Sequence, residues 1–184
     1  MRLFLAIELP PEVRDHLQQV RTRLAQSLPK VSYTKPENLH LTLKFLGELD
    51  PKRLDELTES LHKIKSPKLD LQATQIECFP NKGPIKILAA TLAGSLAVSR
   101  GLVQSIEQRT QFLGFEKEQR AYRPHVTLAR ARPVLSNKFR ATADECTQDL
   151  WPGPKFTAQN FVLMHSKLSP EGSIYTPLAH FEFF

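Results

Sequence analysis

Two tetrads of one pattern, His-x-Thr-Leu, occur in the two halves of this 184-residue chain, as His40–Leu43 and His125–Leu128. An imidazole titrates at about pH 6.5, so near neutral pH one histidine can donate a proton while the other accepts one. Such a pair suits cleavage of a phosphodiester, which needs a base to activate the nucleophile and an acid to protonate the leaving oxygen. The tetrad threonines, Thr42 and Thr127, could donate hydrogen bonds to the nonbridging oxygens.

Both tetrads alternate between polar and apolar residues, which is typical of a half-buried β-strand. In the first, Leu41 and Leu43 are predicted to face a core, while His40 and Thr42 share the other face. Lys44 continues this alternation and is predicted to lie beside them. The second tetrad repeats the pattern, so two facing strands would form a cleft lined by two histidines and two threonines.

The tetrad histidines lack the neighbouring histidines, cysteines or carboxylates that a zinc site needs. We therefore expect neither a metal nor another cofactor. Among the other histidines, His16 and His62 are predicted on solvated faces of helices. His165 and His180 lie near the last predicted strands and stay candidates for approach to the cleft.

The strands that carry the tetrads belong to a chain in which strands and helices are interleaved. The predicted strands cover residues 2–9, 39–46, 69–79, 85–93, 125–129, 156–168 and 173–183. The predicted helices cover residues 11–28, 54–64 and 96–113, and residues 136–150 are predicted as loop or short helix. Turns such as Pro80–Pro84 and Pro170–Gly172 join several strands directly, which favours antiparallel pairing and an α+β fold.

Composition limits the class of protein and its partners. The length fits one domain, and the formal charge of +6 favours an anionic partner such as RNA. Two cysteines, Cys78 and Cys146, are too few for a disulfide framework and are expected as reduced thiols.

No apolar run approaches the roughly 20 residues of a membrane helix, and the apolar start, Met1–Glu8, is too short for a signal peptide. We expect a cytoplasmic protein without a membrane partner.

The tetrads and their flanks resemble the 2H phosphoesterase superfamily, and within it the RNA 2′,3′-cyclic phosphodiesterases, historically called 2′-5′ RNA ligases. Four segments carry the resemblance, which spans nearly the whole chain: Arg2–Pro10, Pro36–Glu48, Arg123–Arg130 and Ser166–Tyr175. The resemblance implies a bilobed α+β fold with pseudo-twofold symmetry. In that fold, two antiparallel sheets line a V-shaped cleft, the helices lie outside, and residues 1–184 form a single domain of two intertwined lobes.

The resemblance also implies hydrolysis of a terminal RNA 2′,3′-cyclic phosphate to a 2′-phosphomonoester without a metal, with 2′-5′ ligation as the reverse reaction. His40 would be the proton donor to the leaving O3′ and His125 the proton acceptor that activates water, beside Thr42 and Thr127. Arg130 matches an arginine expected near the phosphate. Strict alternation from His125 would turn Arg130 toward the core, unless the strand ends or bulges before it or the guanidinium reaches around the rim.

Two further candidate substrate contacts have competing interpretations. Tyr33 stands where family members often carry tryptophan, and it would either stack on a nucleobase or pack in the core. Lys44 would contact the substrate or be a solvated strand lysine. The expected partner is RNA with a cyclic phosphate end, such as a tRNA fragment, bound by a monomer. Two other functions stay open: an RNA-binding module without turnover, and a hydrolase of small cyclic nucleotides or ADP-ribose cyclic phosphate.

Overall fold

The computed structural model of the chain describes residues 1–29, 31–170 and 172–184. Within these ranges the strands are β1 (Arg2–Glu8), β2 (Ser32–Tyr33), β3 (His40–Glu48), β4 (Leu69–Phe79), β5 (Ile85–Gly94), β6 (His125–Leu135), β7 (Lys155–Ala158), β8 (Asn160–Ser169) and β9 (Gly172–Glu182). The α-helices of the same ranges are α1 (Pro11–Ser27), α2 (Leu54–His62), α3 (Leu96–Gln111) and α4 (Phe139–Glu145).

All the strands pair antiparallel, in the order β7-β4-β5-β6-β3-β1-β8-β9, with the short β2 beside β6. The sheet has two halves of four strands, and they join where β3 meets β6 at one residue pair, Leu41 with Val126. The α+β fold with antiparallel strand pairing is therefore confirmed. The two sheets that the resemblance implied are the halves of one continuous curled sheet, and each half contributes one tetrad strand to the junction.

The helices pack on one face of the sheet and bury most of the core there. Helix α1 is an example. It begins at Pro11, in the first turn, where the missing N–H is not needed. Its residues Val13, Leu17, Val20 and Leu24 recur once per turn and are completely buried. We call the sheet face away from the helices the open face. None of the described helices is long and apolar enough to cross a membrane.

The open face has a small apolar cluster of its own, formed by Phe4, Ala6, Val162 and Met164, with Tyr175 packed against it. Strand β1 is thus buried on both faces, since its alternate residues belong to the main core. A strand buried on both faces is held in place from two sides. It gives β3, which pairs along its length, a fixed support.

Two predicted strands differ from the observed ones by more than one or two residues at their ends. The strand predicted to end at residue 129 continues to Leu135, where it still pairs with Ile85. The strand predicted over residues 156–168 is divided at Gln159: β7 pairs with β4 in one half of the sheet, and β8 pairs with β1 in the other. Alternation marks extended backbone but not a change of partner strand, so the division was not predictable. Glu171 of the predicted Pro170–Gly172 turn lies outside the described residues.

Candidate active site

The junction between the halves places both tetrads on the open face. Leu41 and Val126, the paired residues, are completely buried among the main-core residues. Because side chains alternate along a strand, the residues on either side of this pair point the opposite way. Four side chains therefore share the open face: His40, Thr42, His125 and Thr127.

The antiparallel register also fixes which of these residues face each other. The residue before one member of a pair lies opposite the residue after the other, so His40 lies opposite Thr127 and Thr42 opposite His125. The histidines occupy one diagonal, where Cα atoms are roughly 7–8 Å apart and Cβ atoms somewhat closer. A phosphoryl group held between them would have an imidazole on each side and a threonine hydroxyl beside each imidazole.

Each imidazole is oriented by a backbone carbonyl two residues earlier in the chain. Nδ1 of His40 lies 2.7 Å from the carbonyl oxygen of Asn38, and Nδ1 of His125 lies 2.8 Å from that of Arg123. A carbonyl oxygen can only accept, so Nδ1 carries the hydrogen in both rings. Each Nε2 is therefore the atom left to take or give a proton in the cleft.

The ring of His40 is enclosed by aromatic side chains. It lies 4.9 Å from the ring of Phe4 and 5.4 Å, edge to face, from that of Tyr175. The rings of Phe4 and Tyr175 contact each other at 4.8 Å. A cavity of about 210 Å³ opens beside His40, with Glu37 and Arg14 in its lining. Phe4 and Tyr175 line the same cavity, so the imidazole borders a space with both apolar and charged walls.

These surroundings lower the pKa of His40 below its ordinary value. Burial is the largest cause, because it disfavours the charged imidazolium. The carbonyl of Asn38 raises the pKa in opposition, whereas the positive charges of Arg130 and His125 lower it further. The register explains the effect of Arg130, because it follows Thr127, the residue opposite His40, on the same face of β6. In the free protein, His40 is therefore more often neutral than a solvated histidine.

The ring of His125 has a different environment, at the other end of the diagonal. It lies 5.4 Å from the ring of Phe79. The guanidinium of Arg123 sits over the same phenyl ring, 5.9 Å from its centroid, and pairs with Glu77 at 3.6 Å. Arg123 therefore contacts the imidazole through its carbonyl oxygen and the neighbouring ring of Phe79 through its guanidinium.

A β-bulge places Arg130 on the open face. Leu88 pairs with Ala129, and the next residue of β5, Ala89, pairs with Thr127. Leu128 is therefore an extra residue, and Leu128 and Ala129 are both completely buried. Of the alternatives considered from the sequence, the structure has the bulge, and Arg130 is exposed on the face that carries Thr127.

Strand β3 has a bulge at the equivalent position, and it turns Lys44 away from the cleft. Leu5 pairs with Lys44 and the next residue of β1 pairs with Thr42, so Leu43 is extra. The Lys44 ammonium is buried and donates to Glu107 at 2.6 Å and to the carbonyl of Glu116 at 2.7 Å. The prediction that Lys44 contacts substrate is therefore wrong, because strict alternation does not hold through a bulge.

Tyr33 also lies away from the cleft. It pairs with the buried Ala129 and packs against the main core. Its hydroxyl is buried, and among the described residues no hydrogen-bond partner reaches it. Burial, with a smaller contribution from Cys146 and an opposing one from Arg21, raises the pKa of Tyr33 to about 12. The prediction that Tyr33 stacks on a nucleobase is wrong, and the packing alternative holds.

The other histidines do not join the site. His165 pairs with Leu3, which belongs to the main core on the helix side. His180 is exposed on β9, which is separated from β3 by two strands. His16 was predicted on a solvated helix face, but its ring lies 5.5 Å from that of Trp151 and its Nε2 is buried.

The aromatic residues of the site were not predicted from the sequence. Phe4, Phe79 and Tyr175 contact the imidazoles, and nothing local in the sequence marks them as neighbours of the tetrads. The sequence does contain a signal that Phe45 lies on the open face, because Phe45 follows His40 at the same spacing as Arg130 follows His125. Two strands with the same bulge bring both residues to the open face.

Known proteins match the chain along most of its length. The LigT-like phosphoesterase family matches residues 7–88 and 98–175. A relative from Methanocaldococcus jannaschii named RNA 2′,3′-cyclic phosphodiesterase is 31% identical over 175 residues, covering 95% of this chain and 96% of the relative. A relative of the same name from Thermus thermophilus is 32% identical over 192 residues, covering 98% of this chain and 89% of the relative.

Solved structures share the fold. A crystal structure of a protein from Thermus thermophilus has a TM-score of 0.80 at 25% identity, covering 99% of this chain and 97% of that one. The crystal structure of E. coli LigT complexed with 3′-AMP has a TM-score of 0.79 at 21% identity, with the same coverage of 99% and 97%. The resemblance seen in the tetrads is thus confirmed. The chain belongs to the LigT-like phosphoesterases of the 2H superfamily and is a hydrolase of the RNA 2′,3′-cyclic phosphodiesterase kind.

Proposed function

We propose that this hydrolase opens a terminal RNA 2′,3′-cyclic phosphate to a 2′-phosphomonoester by acid–base catalysis with His40 and His125, without a metal. One observation carries the proposal. The two imidazoles lie on one diagonal of the junction, and each has Nδ1 fixed on a backbone carbonyl. Each Nε2 is thereby available for proton transfer to or from the group held between the rings.

In the proposed reaction a water oxygen forms a bond to phosphorus, and the bond from phosphorus to O3′ breaks. Nε2 of His125 takes a proton from the attacking water, while Nε2–H of His40 gives a proton to the departing O3′. The product is a 2′-phosphate beside a free 3′-hydroxyl. His40 then regains a proton and His125 loses one to solvent, which restores the starting state.

The remaining open-face groups would stabilise the charge on the phosphorus centre. The hydroxyls of Thr42 and Thr127 donate to the nonbridging oxygens, where negative charge increases as water adds. The exposed guanidinium of Arg130 supplies a permanent positive charge next to His40. Because the cyclic phosphate is an anion, its arrival offsets the effect of Arg130. His40 therefore takes up its proton as the substrate binds.

The relatives support the choice of substrate. Those from Methanocaldococcus jannaschii and Thermus thermophilus carry the name RNA 2′,3′-cyclic phosphodiesterase, and the E. coli neighbour was crystallised with 3′-AMP. We propose that the substrate is an RNA with a cyclic phosphate end, including tRNA fragments, and that a monomer acts on it. An RNA 5′-hydroxyl that attacks phosphorus in place of water would break the same bond to O3′ and give 2′-5′ ligation, with the same two histidines as acid and base.

The test uses a short RNA of defined sequence with a 2′,3′-cyclic phosphate end, incubated in ¹⁸O-water with EDTA. We expect one ¹⁸O atom in a product that resists a 3′-specific phosphatase, as a 2′-phosphate does. His40→Ala and His125→Ala each lower kcat by about 10²–10⁴-fold, the usual contribution of one proton transfer. His180→Ala, at the exposed histidine of β9, keeps full activity. Full activity in both tetrad variants, or loss of activity with EDTA, contradicts the proposal.

A further inference from the structure

The cavity beside His40 has a charged wall that the proposed hydrolysis does not use. Its volume is about 210 Å³, and Arg14, Glu8 and Glu37 line it together with open-face residues such as Tyr175. Arg14 belongs to the first turn of α1. A cavity that places a cation near a catalytic imidazole is a candidate binding site for another part of the substrate.

Arg14 differs from the other half-buried arginines of the described chain, because its guanidinium has no partner there. Arg21 donates to the carbonyl oxygen of Thr34 at 3.0 Å, and Arg140 donates to that of Cys78 at 2.7 Å. The guanidinium of Arg14 forms no hydrogen bond or ion pair with any residue that the structure describes. A partly buried charge without a partner is unfavourable, and a bound anion would compensate it.

The proposed mechanism determines which part of the substrate reaches this cavity. The attacking water and the leaving O3′ lie roughly in line with phosphorus, with the water toward His125 and O3′ toward His40. The ribose atom C3′, which carries O3′, therefore lies toward His40. The next ring atom, C4′, carries C5′ and the phosphodiester that joins the terminal nucleotide to the rest of the RNA. The RNA chain thus leaves the cleft on the side of His40, where the cavity opens.

We propose that the cavity binds the phosphodiester on the 5′ side of the terminal nucleotide, and that Arg14 contacts its charge. The proposal rests on the proposed function and adds a second phosphate site to it. The guanidinium fork matches the two nonbridging oxygens of a phosphodiester. A nucleoside 2′,3′-cyclic phosphate has no such group. Arg14 therefore gives the enzyme a preference for RNA ends over cyclic mononucleotides.

Glu8 and Glu37 restrict the kind of anion that the cavity accepts. Both side chains are exposed, so water and salt screen their charges, but they still oppose the entry of a highly charged anion. A phosphodiester carries one negative charge, whereas a phosphomonoester carries nearly two near neutral pH. The cavity therefore favours an internal phosphate of an RNA chain over the terminal phosphate of a mononucleotide.

The first test compares two short RNAs that end in a 2′,3′-cyclic phosphate and differ only in their last internucleotide linkage. One has a phosphodiester there, and the other has a methylphosphonate, which is similar in size but uncharged. Arg14→Gln should raise KM for the phosphodiester by about 10- to 150-fold, the usual contribution of a hydrogen bond to a charged group. It should leave kcat nearly unchanged, because the contact is made equally in the bound substrate and in the transition state. KM for the methylphosphonate should not change, and Arg14→Lys should restore part of the affinity for the phosphodiester.

A matched control is Arg100→Gln, at an exposed arginine of α3, which should change KM for neither RNA. If Arg14→Gln raises KM equally for both RNAs, Arg14 only supports the structure around His40, and the proposal is overturned. If Arg14→Gln leaves KM for the phosphodiester unchanged, the RNA chain binds elsewhere, and the proposal is also overturned.

A salt titration gives a second readout that reports charge directly. For the phosphodiester RNA, the slope of log KM against log NaCl concentration should be smaller by about 0.7 in Arg14→Gln than in the wild type, because one phosphate contact is lost. The methylphosphonate RNA should give equal slopes with both proteins. Failure of the proposed function would appear as a wild type that hydrolyses neither RNA. Failure of the phosphate site would appear as a wild type that hydrolyses both RNAs with the same KM.

Discussion

The two histidines are equivalent in their backbone contacts but not in their side-chain surroundings. His40 lies between Phe4 and Tyr175 and is affected by the charge of Arg130, whereas the ring of His125 lies beside that of Phe79. A proton donor and a proton acceptor need different protonation states at one pH. In the free protein the surroundings of His40 favour its neutral form, so its role as the proton donor depends on the anionic cyclic phosphate, which favours the imidazolium when it binds.

At this scale we predict that His40 titrates below the ordinary value of 6.5, and that Arg130→Gln raises its pKa more than His125→Gln does, because Arg130 has the larger effect of the two. The measurement is an NMR titration of the His40 ring proton. A proton donor acts only when protonated, so kcat/KM should fall as pH rises through this lowered pKa. In the pH profile of kcat this fall in activity should occur at a higher pH than in the profile of kcat/KM, since bound cyclic phosphate favours the imidazolium. A wild-type midpoint above 6.5 would contradict the prediction.

Among the elements, the strands that carry the tetrads owe their arrangement to two matching bulges. In β3 the bulge turns Lys44 into the protein, where its side chain is 3% exposed and that of Glu107 is 11% exposed. Glu107 belongs to α3, and Lys44 also donates to the carbonyl of Glu116 after that helix. A buried charge pair thus ties the tetrad strand to the helix layer at the bulge. Removing one partner would leave the other charge without compensation.

We predict that Lys44→Met lowers the free energy of unfolding by about 3–5 kcal/mol, the usual cost of breaking a buried pair. The double variant Lys44→Met/Glu107→Gln should be more stable than Lys44→Met alone, because no uncompensated carboxylate remains. Urea denaturation measures both. The exposed pair of Arg53 and Glu56 gives the control: Arg53→Met should cost less than about 1 kcal/mol. Equal effects of Lys44→Met and Arg53→Met would show that the buried pair has no special role.

The bulges also limit what alternation could predict. Period-two alternation is local, so it correctly predicted which four tetrad side chains share the open face. It failed at Lys44, because a bulge adds a residue that no local pattern marks. At Arg130 the conflict between alternation and the family motif left a bulge as one of several alternatives, and the structure has the bulge. The same reasoning applied to the first tetrad would have placed Phe45 on the open face and Lys44 inside.

At the scale of the whole molecule, the chain crosses between the halves of the sheet several times. Strands β1, β3, β8 and β9 form one half, and β4, β5, β6 and β7 form the other. The final hairpin returns to the first half and brings Tyr175 against His40. The order of the predicted elements indicated an α+β chain with antiparallel pairing, but pairing between remote strands such as β1 and β8 has no local signal. That part of the fold depends on tertiary packing.

The net charge of +6 leads to a prediction at this scale. If the protein binds an RNA chain and not only its end, KM for an oligonucleotide should rise more steeply with NaCl concentration than KM for a nucleoside 2′,3′-cyclic phosphate. One additional phosphate contact would change the slope of log KM against log salt by about 0.7 for a single strand. Steady-state kinetics with both substrates between low and high salt provides the comparison. Parallel slopes would favour small cyclic nucleotides as the substrates.

The carbonyl groups of Asn38 and Arg123 have a consequence for genetics. They select the tautomer of both imidazoles, and a peptide carbonyl is present whatever side chain its residue carries. In many acid–base enzymes a carboxylate fulfils this task and can be deleted by mutation. Here no codon change removes the acceptor oxygen, so a complete mutational scan would never test the atoms that decide which nitrogen of each ring exchanges the proton.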